Sequence, residues 1–351
     1  MRNNTDFIYL LRFIAALWVV VKHYSPVRNV LVDNGGEAVS FFFLLSGFIL
    51  VVAYEKLIKE NRLSPLDFYV KRVARVYPLY VFALGLTLAF HFFVQSGFSN
   101  LPRKLPFELL MVQSWFYSGS INYVAWSISC ELFFYVLFPL YIVKWQKVSL
   151  RQSITVAALV LFVGVTVSYV IHGSNISFLR ADLKEGYLYE HPIFRIPIFF
   201  LGNVLGFLYI RNIKVSATVL LTLFLSGCVC LALFQLHPVF MGLSLKQVGL
   251  AAIYICLLIV LLQNTAFSQR YLSHPFFIFL GDISYGVYLL QGAVFSFVLH
   301  YTEGVNPALQ FAVGLATLFV LSALTYRSLE KPLRSKIVNK YKAWVKMPQA
   351  A

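Results

Sequence analysis

Ten apolar runs, each close to the length of one bilayer crossing, decide what this chain can fold into. They fall at 7–25, 37–56, 76–95, 124–144, 152–172, 192–211, 215–234, 246–264, 276–300 and 306–328. About 20 apolar residues carry a helix across hydrocarbon, and only helices or closed barrels satisfy every backbone group there. Continuous runs of this length predict an all-α fold, a polytopic membrane bundle of about ten transmembrane helices. Composition agrees: of 351 residues, 60% are hydrophobic and 12% charged, against about 25% charged in soluble domains. The segment 96–123, around "FELLMVQSWFY", is expected to hold a re-entrant or interfacial piece. No cleavable signal peptide is expected, because the first run has no small-residue cleavage site and leads straight into more apolar chain.

The formal charge of +15 invites a nucleic-acid reading, but its placement argues against one. Ten crossings put both termini on one side. That side carries 20 of the 29 Lys and Arg residues and the opposite loops carry six, while Arg12, Lys22 and Arg195 lie within spans. The positive-inside rule then predicts cytoplasmic termini, and anchoring to anionic membrane lipid accounts for most of the basic residues. Cys130, Cys228, Cys230 and Cys256 all fall in apolar runs. Cys228 and Cys230 stand too close along one helix to pair, so free, buried thiols are expected. No separate soluble domain or internal repeat is visible, which predicts one domain over 1–351. Gly202 and Gly206 form a G-x-x-x-G that reads as close helix packing.

Charges inside the apolar runs are the places to look for chemistry, since each is costly in lipid. In "LRFIAALWVVVKHY", Arg12 and His23 are 11 residues apart. On a helix that places them within about 20° of one face and about 16 Å apart along the axis. Ala16 and Val19 lie between them, so the face reads as a narrow slot. Each residue alone is better explained by snorkelling to the nearer interface; the pair in register favours function. In "FYVKRVARVYPLY", Lys71, Arg72 and Arg75 share a helix face, with Pro78 expected to bend or restart the helix. Guanidinium groups at a membrane mouth suit phosphate by bidentate hydrogen bonding, although a juxtamembrane anchor has the same composition. In "WSISCELFFYVLFP", Ser127, Glu131 and Tyr135 form a polar stripe. A buried carboxylate needs a partner, and Arg12, Arg195 or a protonated His23 could supply it, in a structural or a catalytic role. Tyr285 and Tyr288 stand one turn apart in "GDISYGVYLLQ", and Glu330, Lys331 and Arg334 close the last span. The other histidines show no metal-site spacing, and no G-x-S-x-G, Walker A or G-x-G-x-x-G motif occurs.

In this order the motifs resemble the membrane-bound acyltransferase 3 family, which includes bacterial O-antigen and exopolysaccharide O-acetyltransferases. The resemblance runs from "LRFIAALWVVVKHY" through "FFFLLSGFIL", "KRVARVYP", "WSISCE" and "GDISYGVYLL" to "EKP". It implies transfer of an acyl group, usually acetyl from acetyl-CoA, to a carbohydrate hydroxyl in the envelope, by a multi-pass protein of the bacterial inner membrane. Carried over by position, Arg12 and His23 match the family's essential pair, Arg72 and Arg75 its basic motif, and Glu131 its acid. The expected assignment is His23, Arg12 and Glu131 as catalytic, Lys71, Arg72 and Arg75 as binders of the donor, and Trp126, Ser127, Tyr285 and Tyr288 as substrate contacts. Acyl-CoA is then a donor substrate, with no tightly bound cofactor and no metal. The partners are acyl-CoA, a carbohydrate acceptor and membrane lipid. His23 would serve as general base or as the acylated relay, with Glu131 orienting it. The family often has His where this chain has Gln291, and the hydrolase-like domain that some members carry is not expected here. The alternatives are an exporter of a carbohydrate or lipid intermediate, in which the charges line a path, and a non-catalytic scaffold.

Overall fold

The computed structural model describes residues 5–94, 100–145, 147–173, 181–236 and 245–346, and no strand occurs among them. The longer helices are α1 (Phe7–Tyr24), α2 (Ala38–Ala53), α3 (Pro65–Phe93), α4 (Trp126–Trp145), α5 (Leu150–Gly173), α6 (Ile196–Ile210), α7 (Ala217–Leu236), α8 (Leu245–Gln263), α9 (Pro275–Tyr301), α10 (Pro307–Thr325) and α11 (Lys331–Lys346). Ten segments among the described residues are long and apolar enough to cross a membrane. They correspond one to one with the ten expected runs.

Two boundaries differ from expectation in ways that matter for the site. α3 begins at Pro65, where the Ser64 side chain accepts from the Asp67 N–H, and Pro at the first helical position costs no hydrogen bond. The basic cluster 71–75 therefore lies inside one helix that runs through Pro78 without restarting. At the other end, α10 passes through a π-turn, Tyr326–Glu330, straight into α11.

Apolar side chains alone do not fix which helices are central, because lipid is as apolar as a core. Small residues do. A Cβ on Gly47 would overlap the Phe199 carbonyl oxygen, and one on Gly202 would overlap that of Leu44. The G-x-x-x-G of α6 therefore seats directly on α2, as expected. Gly281 likewise leaves no room for a Cβ beside Tyr9, which brings α9 against α1. The spanning segments containing α2 and α6 are 72% buried within the protein, whereas those of α5 and α7 are 11% and 6% buried. The centre is thus α1, α2, α6 and α9, joined by α3 and α4, and α5 and α7 lie at the periphery. This corrects the cysteine expectation: the thiols are free, but Cys228 is exposed on α7 and Cys230 is only half-buried.

Between α3 and α4 the chain forms a short helix, Leu101–Leu109, and a single 3-10 turn, Gln113–Trp115. Glu108 pins this segment. Its carboxylate accepts from the Ile121 N–H (2.7 Å), Tyr80 (3.1 Å) and Tyr117 (3.2 Å). Burial pushes this carboxyl above the usual carboxylate range, and the bond from Ile121 opposes that shift. The Gln113 amide and Ser114 hydroxyl donate to the Ala125 and Trp126 carbonyls, fixing the start of α4 and so the height of its polar stripe.

Candidate active site

Two cavities meet at the middle of the α1, α3 and α9 cluster. The wider, of about 550 Å³, is a mouth bordered by Tyr9, Tyr54, Lys71, Asp282, Tyr326 and Glu330, and by Lys331 and Arg334 of α11. The narrower, of about 90 Å³, runs deeper among Phe42, Phe43, Ser46, Ser127, Glu131, Tyr135, Ser284 and Tyr288. Arg12, Arg72, Arg75 and Tyr285 border both cavities. Three arginines therefore stand at the junction.

Their positions follow from helix register. Arg72 and Arg75 are one turn apart on α3, and the turn of α1 that carries Arg12 faces them. Arg72 is held in place: it donates to the Tyr54 hydroxyl at 3.0 and 3.3 Å and lies over the Tyr54 and Phe68 rings. Lys71 is neutralised by Asp67 at 2.5 Å and reaches only the mouth. Arg12 and Arg75 have no hydrogen bond or ion pair within 4 Å among the described residues. Two unpaired guanidinium groups beside a narrow cavity form a strong local field for an anion.

Glu131 is the carboxylate of the deeper cavity. It accepts from the Tyr135 hydroxyl one turn along α4 and from Ser46 of α2 at 3.5 Å. The acid borders the same cavity as Arg12, and its hydrogen-bond partners among the described residues do not include His23. Arg195 is not its partner either. That guanidinium is fully buried, donates to the Tyr189 carbonyl and stacks over Tyr189 and Trp126. Trp126 is consequently a packing residue under Arg195 and against Phe43; it does not border the cavity, contrary to its expected role as a substrate contact. Ser127, Tyr285 and Tyr288 do border it.

The cavity ends at a roof. Ser127 Oγ and the Tyr288 hydroxyl lie 2.8 Å apart, and both reach the Val124 carbonyl. Beyond the roof, Gln291 Nε2 donates to the Tyr288 carbonyl at 2.7 Å, and the Tyr123 hydroxyl donates to Gln291 Oε1 or to Tyr24. The His23 ring meets Tyr123 edge-on, with centroids 4.8 Å apart. Ala16 and Val19 are packed shut, so the expected slot along α1 is closed. The geometry brings Arg12, Arg72, Arg75, Glu131, Ser127, Tyr285 and Tyr288 together and leaves His23, half-buried, on the other side of the roof. Sequence reasoning missed Tyr54, Ser46 and Tyr123. Ser46 alone left a trace, as the one hydroxyl in "FFFLLSGFIL".

Comparison with known proteins agrees over nearly the whole chain. A family model described as an acyltransferase domain, that of acyltransferase family 3, matches residues 5–327. The O-acetyltransferase OatA of Staphylococcus aureus strain NCTC 8325 / PS 47 is 21% identical over 363 residues, covering 97% of this chain. OatA of strains COL and MRSA252 matches to the same degree. The chain spans 58% of the length of these relatives. No solved structure matches.

Proposed function

Because the chain belongs to acyltransferase family 3, we propose that it is a membrane O-acyltransferase taking an acyl group, acetyl in the first instance, from cytoplasmic acyl-CoA to a hydroxyl of a surface carbohydrate. The observation that carries this reading is the arginine junction, where Arg12 and Arg75 make no hydrogen bond or ion pair within 4 Å among the described residues. A phosphate-bearing donor supplies a counter-ion, and bidentate contacts favour Arg for the task. The relatives named O-acetyltransferases support acetyl as the group moved.

In this reading Arg72 and Arg75 hold donor phosphates. The pantetheine arm passes Arg12 into the deeper cavity, among Phe42, Phe43 and Tyr285, toward the Ser127–Tyr288 roof. Transfer requires the acceptor oxygen to lose its proton as it bonds the acyl carbon and the carbon–sulfur bond breaks. His23 takes that proton as general base and returns it to the leaving thiolate. Acylation of His23 itself, followed by passage to the acceptor, uses the same residue. Either route needs the roof to open between donor and His23. The hydroxyls of Ser127 and Tyr288 are the neutral donors nearest the end of the cavity, and once released from Val124 they would stabilise the developing oxyanion. Glu131 holds Tyr135 and balances charge around Arg12.

The same reading places the protein in a bacterial cytoplasmic membrane with both termini inside, supported by the 20-to-6 division of basic residues. A cysteine at Asn34, in a background free of the native cysteines, should label from outside whole cells; protection of Asn34 in folded protein would reverse the topology. Activity is tested by measuring ester-linked acyl groups on surface glycans with and without the gene, alongside CoA binding to purified protein. An exporter or scaffold predicts unchanged acylation and no CoA binding.

A further inference from the structure

We propose that α11 completes the donor site, with Arg334 and Lys331 taking a second, separate phosphate group: the ribose 3′-phosphate that distinguishes CoA from dephospho-CoA. This inference rests on the acyl-CoA reading above. Its residues lie beyond the region matched by the family model, which ends at 327.

Three observations point the same way. First, the mouth is not lined by α3 alone. Around its about 550 Å³ stand Arg72 and Arg75 of α3 and Lys331, Arg334 and Asn339 of α11, which packs beside α3. A diphosphate held by Arg72 and Arg75 would leave the α11 wall unused. Second, that wall is presented as a surface. Residues 331, 334, 335 and 338 recur at helical spacing and all border the mouth, whereas Lys336, on the opposite face, does not. Third, the charge there is uncompensated. Arg334 has no hydrogen bond or ion pair within 4 Å among the described residues, and Arg72 and Arg75 repel it. The nearby acids do not neutralise it. Asp282 accepts from Tyr326 at 2.8 Å, and the Coulomb partners of Glu330 among the cations are Arg75 and Arg12.

Like charges held across one cavity raise the energy of the empty site and favour an anion that bridges them. A donor with phosphate at two places does so, one group at the arginine junction and the other against Arg334. Arg334 is exposed at the rim, so water and salt weaken its contact and the effect belongs at the low end for a charge-assisted hydrogen bond.

The test compares CoA and dephospho-CoA binding to the purified full chain in neutral-lipid nanodiscs, for wild type, Arg334→Ala and Lys336→Ala. Wild type should prefer CoA by roughly tenfold. Arg334→Ala should weaken CoA by about that factor, leave dephospho-CoA within roughly twofold, and so erase the preference. Lys336→Ala removes the same charge from the opposite face and should retain it. Unchanged CoA affinity in Arg334→Ala overturns the inference alone, as does equal weakening of both ligands or equal loss in Lys336→Ala. An Arg334→Ala effect seen only in nanodiscs containing anionic lipid would assign the residue to a headgroup and overturn it too. Failure of wild type to bind CoA at all overturns the acyl-CoA reading itself.

Discussion

The hydroxyls of Ser127 and Tyr288, 161 residues apart in sequence, meet at 2.8 Å over the Val124 carbonyl. They form the layer that divides the arginine-lined cavity from the half-buried His23. Tyr288→Phe keeps the ring and removes only the hydroxyl. If that hydroxyl leaves Val124 for the reacting carbonyl, turnover should fall by about tenfold, equivalent to about 1.4 kcal/mol, with donor affinity unchanged. Steady-state rates and CoA titration on the same sample separate the two, and a variant that loses donor affinity at full turnover contradicts this role.

His23→Ala should abolish transfer while the protein still inserts and runs as a single species in detergent. The ring is half-buried and meets the rings of Tyr123 and Tyr24, with centroids 4.8 and 6.2 Å away, contacts contributing about 0.5–1.5 kcal/mol each. Loss of activity therefore should not come from loss of fold. Wild-type turnover in this variant would remove His23 from the mechanism.

Arg75→Ala should weaken acyl-CoA binding by roughly 10- to 100-fold, corresponding to about 1.5–3 kcal/mol for a charge-assisted contact. Arg75→Lys should recover only part, since the planar fork is lost. Isothermal titration with acyl-CoA on the three proteins checks this. Full recovery by Lys would reduce the residue to a point charge, of the kind any lipid anchor supplies.

The segment before α6 should carry two opposed pH dependences. Burial pushes the Glu190 carboxyl from 4.5 up to about 7, partly offset by the bond it accepts from the Gly119 N–H. Its protonated form is favoured in the fold, so its contribution is full below about pH 4.5 and lost as pH rises through about 7. Burial holds the His191 imidazole down at about 4 instead of 6.5. Its contribution is present above about 6.5 and lost as pH falls through about 4. Glu190→Gln should therefore leave a melting temperature that rises with pH over the His191 range. His191→Asn, which retains a capping acceptor for the Ile193 N–H, should leave one that falls over the Glu190 range. Thermal melts of both variants showing the wild-type profile would count against this assignment.

The crossings were legible in the sequence because a bilayer imposes a length on any helix that spans it, and the G-x-x-x-G of α6 because a missing Cβ allows only a few uses. Arg12 was legible because charge in an apolar run is costly, and Arg72 and Arg75 because they share one helix face at a membrane mouth. Partner choice was not. Glu131 had three cationic candidates in the sequence, and its hydrogen bonds go to Tyr135 and Ser46. Trp126 was read for its motif position, but its environment is set by Arg195, 69 residues away, on which the local pattern is silent. The slot along α1 was a sound inference from one helix. It failed because neighbouring helices fill the space beside Ala16 and Val19, and no single helix encodes its neighbours.

The π-turn at Tyr326–Glu330, closed by the Lys331 N–H on the Tyr326 carbonyl, works as a phase shifter. One residue more per turn advances everything after it by about 100° and 1.5 Å relative to a regular helix. The rotational setting of α11 is thus fixed by backbone counting upstream, not by the side chains of α11 itself. A one-residue deletion within 326–330 would swing the 331–334–338 edge away from the mouth with every side chain on it intact. Chains that share the spans but differ by one residue here would present a different helix face to whatever the mouth receives.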